Sequence, residues 1–383
     1  MLRTSLLAAF AATSLAVIAV GCGPDATSNP NPTPVDETGI VPPKEPEGAM
    51  ACADPGGTHA VNELFLGDTD RDGTPNPTNG WKTYGFNLDG LKSSKTSTNL
   101  CKPRAGGSAA AVYPDGTDGI DNSFGKNILP IILGLASDLS TTANESIQKG
   151  EFTLMLDFSK LGKDCNAASA KLYAGAQLVD AMGMDIAPKF DGNDEWPVSP
   201  ELLSNPADVT SSKISFPQAY IAGNTWVSGT KGTVALQLTI SGFTISLDIT
   251  NAYITLDLGD GNTSGTNGTI AGILDTEQLV SQIGKVAAAF DTSFCDPESP
   301  TLVSILNQLR QASDIMKDGS QNPAAECDGI TIGLGFNTKS VKLGGVAKPG
   351  AAPPDPCAMG GAGGAGGAGG GGGGGAGGAG GGM

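Results

Sequence analysis

Residues 233–258 read TVALQLTISGFTISLDITNAYITLDL. Val234, Leu236, Leu238 and Ile240 fall on every second position. So do Phe243, Ile245, Leu247 and Ile249, and then Ala252, Ile254, Leu256 and Leu258. A period of two puts one set of side chains on a buried face and the alternate set in water, the mark of antiparallel sheet. Ser241-Gly242 and Thr250-Asn251 sit where two-residue turns would reverse the chain. The stretch therefore predicts a three-stranded meander.

The same alternation recurs at Phe152, Leu154, Leu156 and Phe158, and at Ile330, Ile332, Leu334 and Phe336. Helical spacing is rarer. Ile128, Ile131, Ile132, Leu135, Leu139, Ala143 and Ile147 predict one helix ending before Gly150. Asp275 and Gln278 form a capping-box-like start for Leu279, Ile283, Val286 and Phe290. Ser299-Pro300 opens a third helix through Leu302, Ile305, Leu309 and Met316, with Asp318-Gly319 as its stop. The expected fold is mainly β, an antiparallel β-sandwich-like domain with a few flanking helices (α+β).

The chain has 383 residues, and its ends do not read as core. Residues 1–21 combine Arg3 with an apolar run from Leu6 to Val20, the pattern of a signal peptide. Residues 23–50 hold seven prolines among polar residues, so 22–50 reads as an extended tether that begins at Cys22. Residues 51–358 are left for a single β-rich domain with an Asp-rich loop region near its start. Residues 359–383 are a Gly/Ala tail of low complexity.

Ala19-Val20-Gly21-Cys22 resembles the lipobox of bacterial lipoproteins. The resemblance implies cleavage before Cys22, acylation of that cysteine and a membrane-lipid anchor, which is stable when several acyl chains are attached. Gly23, where aspartate would signal inner-membrane retention, points to the outer membrane or cell surface. If Cys22 is acylated, six cysteines remain: Cys52, Cys101, Cys165, Cys295, Cys327 and Cys357. An even number in an oxidising compartment predicts three disulfides. Closeness in sequence suggests Cys295 with Cys327 and Cys52 with Cys101.

The formal charge of −17 repels phosphate backbones, so no nucleic-acid partner is expected. The single histidine, His59, disfavours His-dependent metal sites and leaves one candidate for a catalytic triad. No Walker loop, GxSxG or HExxH is present, and the protein is read as non-catalytic.

The sharpest local signal is Asp68-Thr69-Asp70-Arg71-Asp72-Gly73. Carboxylates at alternate positions followed by a turn-permitting glycine can wrap oxygens around a hard cation, and Asn76 and Asn79 fall at loop positions nine and twelve. This looks like the calcium loops of EF-hand, dockerin and thrombospondin type-3 repeats. It departs from the EF-hand where Asn79 replaces the bidentate glutamate and where Pro75 and Pro77 preclude an exiting helix. Calcium is thus the candidate cofactor, with weak binding. Asp115, Asp118 and Asp121 form a second oxygen-rich cluster, a weaker calcium candidate that either completes the same site or makes another, with a pair of Asx/Gly turns as the alternative; Asp191–Asp194 and Asp260–Asn262 read as turns.

Trp81-Lys82-Thr83-Tyr84-Gly85-Phe86-Asn87-Leu88-Asp89-Gly90, Leu100-Cys101-Lys102-Pro103, Asp118-Gly119-Ile120-Asp121-Asn122-Ser123-Phe124-Gly125 and Cys327-Asp328-Gly329-Ile330 resemble an uncharacterised family of secreted Gram-negative lipoproteins. The resemblance spans most of 51–357 and implies surface display. The functional expectation is a surface-exposed, membrane-anchored lipoprotein with a calcium-stabilised binding or envelope-structural role and an envelope glycan or protein as partner. The alternative is a carbohydrate-binding or carbohydrate-cleaving protein, motivated by Trp81, Trp196, Trp226 and the many carboxylates.

Overall fold

The computed structural model describes residues 39–240, 243–290, 292–348 and 357. The elements in chain order begin with β1 (Met50–Ala51), β2 (Asp54–Phe65), α1 (Ala109–Val112), α2 (Leu129–Leu135) and α3 (Leu139–Lys149). Then come β3 (Thr153–Leu161), β4 (Cys165–Asn166), β5 (Ala170–Gly175), β6 (Glu195–Val198), β7 (Ile214–Phe216), β8 (Tyr220–Ala222) and β9 (Thr225–Val227). The last are β10 (Gly232–Ile240), β11 (Phe243–Leu258), β12 (Ser264–Asp275), α4 (Thr276–Phe290), α5 (Pro300–Gln311) and β13 (Gly329–Val346). The fold is mainly β with a few helices, as the alternation predicts. The strands belong to one 13-stranded mixed sheet in the order β1-β4-β8-β9-β11-β12-β13-β2-β3-β5-β6, with β10 on β11 and β7 on β5.

The long strands β11, β12, β13 and β2 are antiparallel neighbours, and their apolar faces meet α2, α3 and α4 in the main core. At its far end β13 also pairs with β6 in parallel, so β13, β2, β3, β5 and β6 close into a ring. Every strand of that ring contributes to a second core: Ala60, Met155, Tyr173, Trp196 and Val341.

Four local expectations change. Thr250-Asn251 is not a turn: β11 runs straight through it, with a register shift against β12 between Thr250 and Tyr253 and Asn251 at φ 49°. A bulge explains the phase change in the pattern, because one extra residue moves the apolar set from odd to even positions without reversing the chain. The other expected turn, Ser241-Gly242, lies outside the described residues. The helix expected over 128–147 is two helices, broken at Ala136 (φ −139°, ψ 83°). The three-residue link returns the second stripe to the core, so apolar spacing alone does not reveal the break. Gly150 (φ 80°) closes α3 as expected. The third helix stops at Gln311 rather than beside Asp318, because the next residues are drawn onto β13: Gly329 N–H donates to the Ile315 carbonyl at 2.8 Å. The cap on α4 is half of a box. The Asp275 carboxylate accepts from the Glu277 and Gln278 amides, but the Gln278 side chain donates to Asp248 instead of reaching back.

The open edges of β13 and β2 are sealed by side-chain amides and a carboxylate. β2 joins β13 only from Gly335 onward. Before that point Thr331 N–H donates to Asp314, and Asn122 forms a two-way pair with Gly333, accepting from its N–H at 3.1 Å and donating to its carbonyl at 3.0 Å. On β2, Asn144 of α3 makes the same pair with Leu64 (2.8 Å both ways), and Gln148 donates to the Asn62 carbonyl. These groups do what a neighbouring strand would do for backbone polar groups that burial would otherwise leave unpaired.

Three disulfides are present, with pairings that differ from those suggested by sequence proximity: Cys52–Cys165, Cys101–Cys327 and Cys295–Cys357. Cys101 meets Cys327 because residues 102 and 325–327 run side by side: Lys102 N–H donates to the Ala325 carbonyl and Cys327 N–H to the Lys102 carbonyl. Among the described residues no helix is long and apolar enough to cross a membrane.

Candidate functional site

The Asp68–Asn79 loop leaves β2 and folds back on itself. Asp70 N–H donates to the Thr74 carbonyl, Gly73 N–H to the Asp70 carbonyl, and Gly73 takes φ 81°. The same closure occurs twice more, at Asp180–Met184 around Gly183 and at Met316–Ser320 around Gly319. Neither copy has the Asp triplet, so the backbone of this turn does not require a cation.

The carboxylates of the loop are engaged by protein donors. Asp68 accepts from the Ser140 hydroxyl (2.8 Å), Asp70 from the Asn76 side-chain amide (2.8 Å) and Asp72 from the Thr74 amide (2.9 Å). The Asn76 oxygen accepts from Asn79 N–H, while the Asn79 side chain is exposed. Arg71 points inward between the carboxylates. Its guanidinium lies 4.8 Å from the centre of the Tyr84 ring and donates to the Gly268 carbonyl, the Thr269 hydroxyl and the Thr83 carbonyl. Among the described residues no group of three or more His, Cys, Asp or Glu is placed to hold a metal ion. An open groove separates the loop from α3, lined by Glu63, Thr69, Ser140, Asn144, Glu145 and Lys149.

The second cluster regroups. Asp118 lies apart, largely exposed, with Lys92 at 3.8 Å. Asp115 and Asp121 instead meet Asp89 and Asp314, close enough for their charges to act on one another. Asp121 is 5 % exposed and accepts from the Leu88 and Asp89 amides at 2.7 and 3.3 Å. Asp314 accepts from the Thr331 amide and hydroxyl, Asp115 from the Ser93 amide, and Asp89 from the Leu91 amide and the Gln321 side chain. Burial is the main cause that raises all four carboxyls; it pushes Asp115 and Asp314 up to about 7. Lys126, whose ammonium donates to the Pro114 carbonyl at 2.7 Å, is the cation whose charge reaches Asp115 and Asp314. Asp89 sits in an apolar motif and Asp314 beyond a helix end. An acid inside the run Phe86-Asn87-Leu88-Asp89 was the available signal.

Many of the residues quoted for the lipoprotein resemblance are interior, whereas Thr83, Gly90, Lys102 and Asp118 are exposed. Trp81, Tyr84, Phe86, Asn87, Leu88, Ile120, Asp121, Asn122, Ser123 and Phe124 are all buried. Trp196 and Trp226 are fully buried, so these tryptophans provide no exposed platform for sugar rings. His59 is buried too: its Nε2–H donates to the Asn262 carbonyl (2.9 Å), and Nδ1 meets the Thr338 hydroxyl (3.1 Å). Burial lowers its pKa, and with both ring nitrogens occupied it is no free base. Asp191–Asp194 and Asp260–Asn262 are turns, as expected; in the first, Asp194 accepts from the Lys189 and Phe190 amides. Cys22 lies outside the described residues. No protein-family model matches the chain, and comparison with curated proteins and with solved structures finds none similar to it.

Proposed function

We propose that the protein is a membrane-tethered lipoprotein holding a disulfide-locked β domain outside the cytoplasm, in a non-catalytic binding or envelope-structural role. The cysteines support this reading. Three bridges use six of the seven, and the seventh is Cys22 in the lipobox-like run. Such bridges persist in oxidising compartments. An envelope glycan or protein would meet the groove between the Asp68–Asn79 loop and α3.

The anchor is tested by Cys22→Ala. The variant is expected to move from the detergent phase to the soluble extracytoplasmic fraction. Unchanged partitioning, or a mature N-terminus elsewhere, would overturn the proposal.

Calcium at Asp68, Asp70 and Asp72 belongs to the same proposal with one added condition. The Asn76 amide must turn so that its oxygen, not its N–H, faces the ion. Calorimetry with and without millimolar calcium is expected to show a higher melting temperature with calcium. The gain corresponds to about 1–2 kcal/mol at ten times the dissociation constant. It should be lost in Asp70→Asn/Asp72→Asn. Equal gains in both proteins, or none in either, would leave an acidic turn held by its own donors.

A further inference from the structure

Asp89, Asp115, Asp121 and Asp314 come from four points in the chain and converge where the 81–125 segment meets β13. Each is held by at least one protein donor, so none is free to swing into water. If all four were ionised, four negative charges would face one lysine in a partly dry site. We propose that this cluster is a proton-operated latch: protons shared among the four carboxyls hold the 81–125 segment against β13, and their loss loosens it.

The groups in reach are the four aspartates and Lys126, with Lys82 acting on Lys126 from outside. Coulomb repulsion between buried like charges is screened far less by salt than repulsion at the surface. A shared proton turns one carboxyl into a neutral donor and removes the repulsion.

The direction follows from proton counting. Asp115 and Asp314 keep their protons in the folded protein up to about pH 7, whereas the unfolded chain releases them near the ordinary carboxylate value. Across that window the folded state binds more protons, so stability falls as pH rises and levels off above the folded values. For each proton retained only in the folded state, the folding equilibrium constant falls by up to roughly tenfold for every unit that the pH rises. His59 acts in the opposite sense. Its lowered pKa favours the neutral ring, so its contribution is present above about pH 6.5 and fades as pH falls. Asp72, Asp208, Asp275, Glu277 and Asp318 are held below their usual values, and their contribution is lost only in stronger acid. The latch therefore dominates between about pH 6 and 7.5.

Urea unfolding of the full-length protein across that range is expected to show stability falling with pH. Asp115→Asn, which keeps an oxygen for the Ser93 amide, should flatten the slope, and Lys126→Met should steepen it. Amide exchange in the unmodified protein gives a second measurement that does not depend on a variant folding. Corrected for intrinsic rate, protection of the Leu88, Asp89 and Thr331 amides, which donate to the cluster, should fall more steeply than that of the β12 amides. A wild-type slope that Asp115→Asn leaves unchanged overturns the latch. So does stability that rises with pH, or exchange at the three amides that follows β12.

Discussion

Replacing Cys101 and Cys327 together with alanine is expected to cost about 5 kcal/mol, a large part of the stability of an ordinary domain. The bridge closes a loop of sequence separation 226, the longest of the three. Cross-linking restricts the unfolded chain more as the loop grows, though only logarithmically. The native side adds to the effect, since both cysteines are fully buried and their removal leaves unfilled space. The bridge also fixes a local junction. Tyr113 donates to the Cys101 carbonyl and Arg104 to the Cys327 carbonyl, so the middle of the 81–125 segment is tied to the start of β13 through these two residues. Urea unfolding would show a lower midpoint. A change below about 1 kcal/mol would mean that the backbone pairing of Lys102 with Ala325 and Cys327 holds the junction without the bridge.

The long strands were legible because their signal is local. Ile330, Ile332, Leu334 and Phe336 face the core with a period that needs no knowledge of the rest of the chain. Bulges and breaks were harder. A bulge at Asn251 and a turn at Thr250-Asn251 produce the same apolar pattern, and only the partner strand distinguishes them. Cysteine pairing was not legible, because proximity in sequence says little about a protein whose last long strand lies beside its first. The carboxylate cluster was half legible. Asp115 and Asp121 stood out in a run rich in Asp and Gly, whereas Asp89 and Asp314 join them only through the fold. Side-chain amides at strand edges leave no periodic trace. Asn122 and Asn144 look like any polar residue until the edge they seal is known.

Asn122 is where this matters most. It is 2 % exposed and serves three parts of the chain. Its two amide hydrogens are shared among the carbonyls of Trp81, Tyr84 and Gly333, and its oxygen accepts from the Gly125 and Gly333 amides. It therefore fixes the 81–84 turn, the start of the 124–128 turn and the uncovered edge of β13 together. Asn122→Ala removes the partner of several buried backbone groups at once. Each unmet group costs about 1–3 kcal/mol, so a loss of at least roughly 4 kcal/mol is expected. Asn122→Asp separates hydrogen bonding from packing. Aspartate has nearly the same shape, but in place of the donating NH2 it sets an oxygen against three carbonyl oxygens, beside the Asp121 cluster. If Asn122 works through its donors, Asn122→Asp should be destabilised at least as much as Asn122→Ala in urea unfolding at pH 7. It should recover partly in acid, where a protonated carboxyl regains one donor. If Asn122→Asp is close to wild type at pH 7, the side chain serves mainly to fill space, and the edge of β13 is satisfied without it.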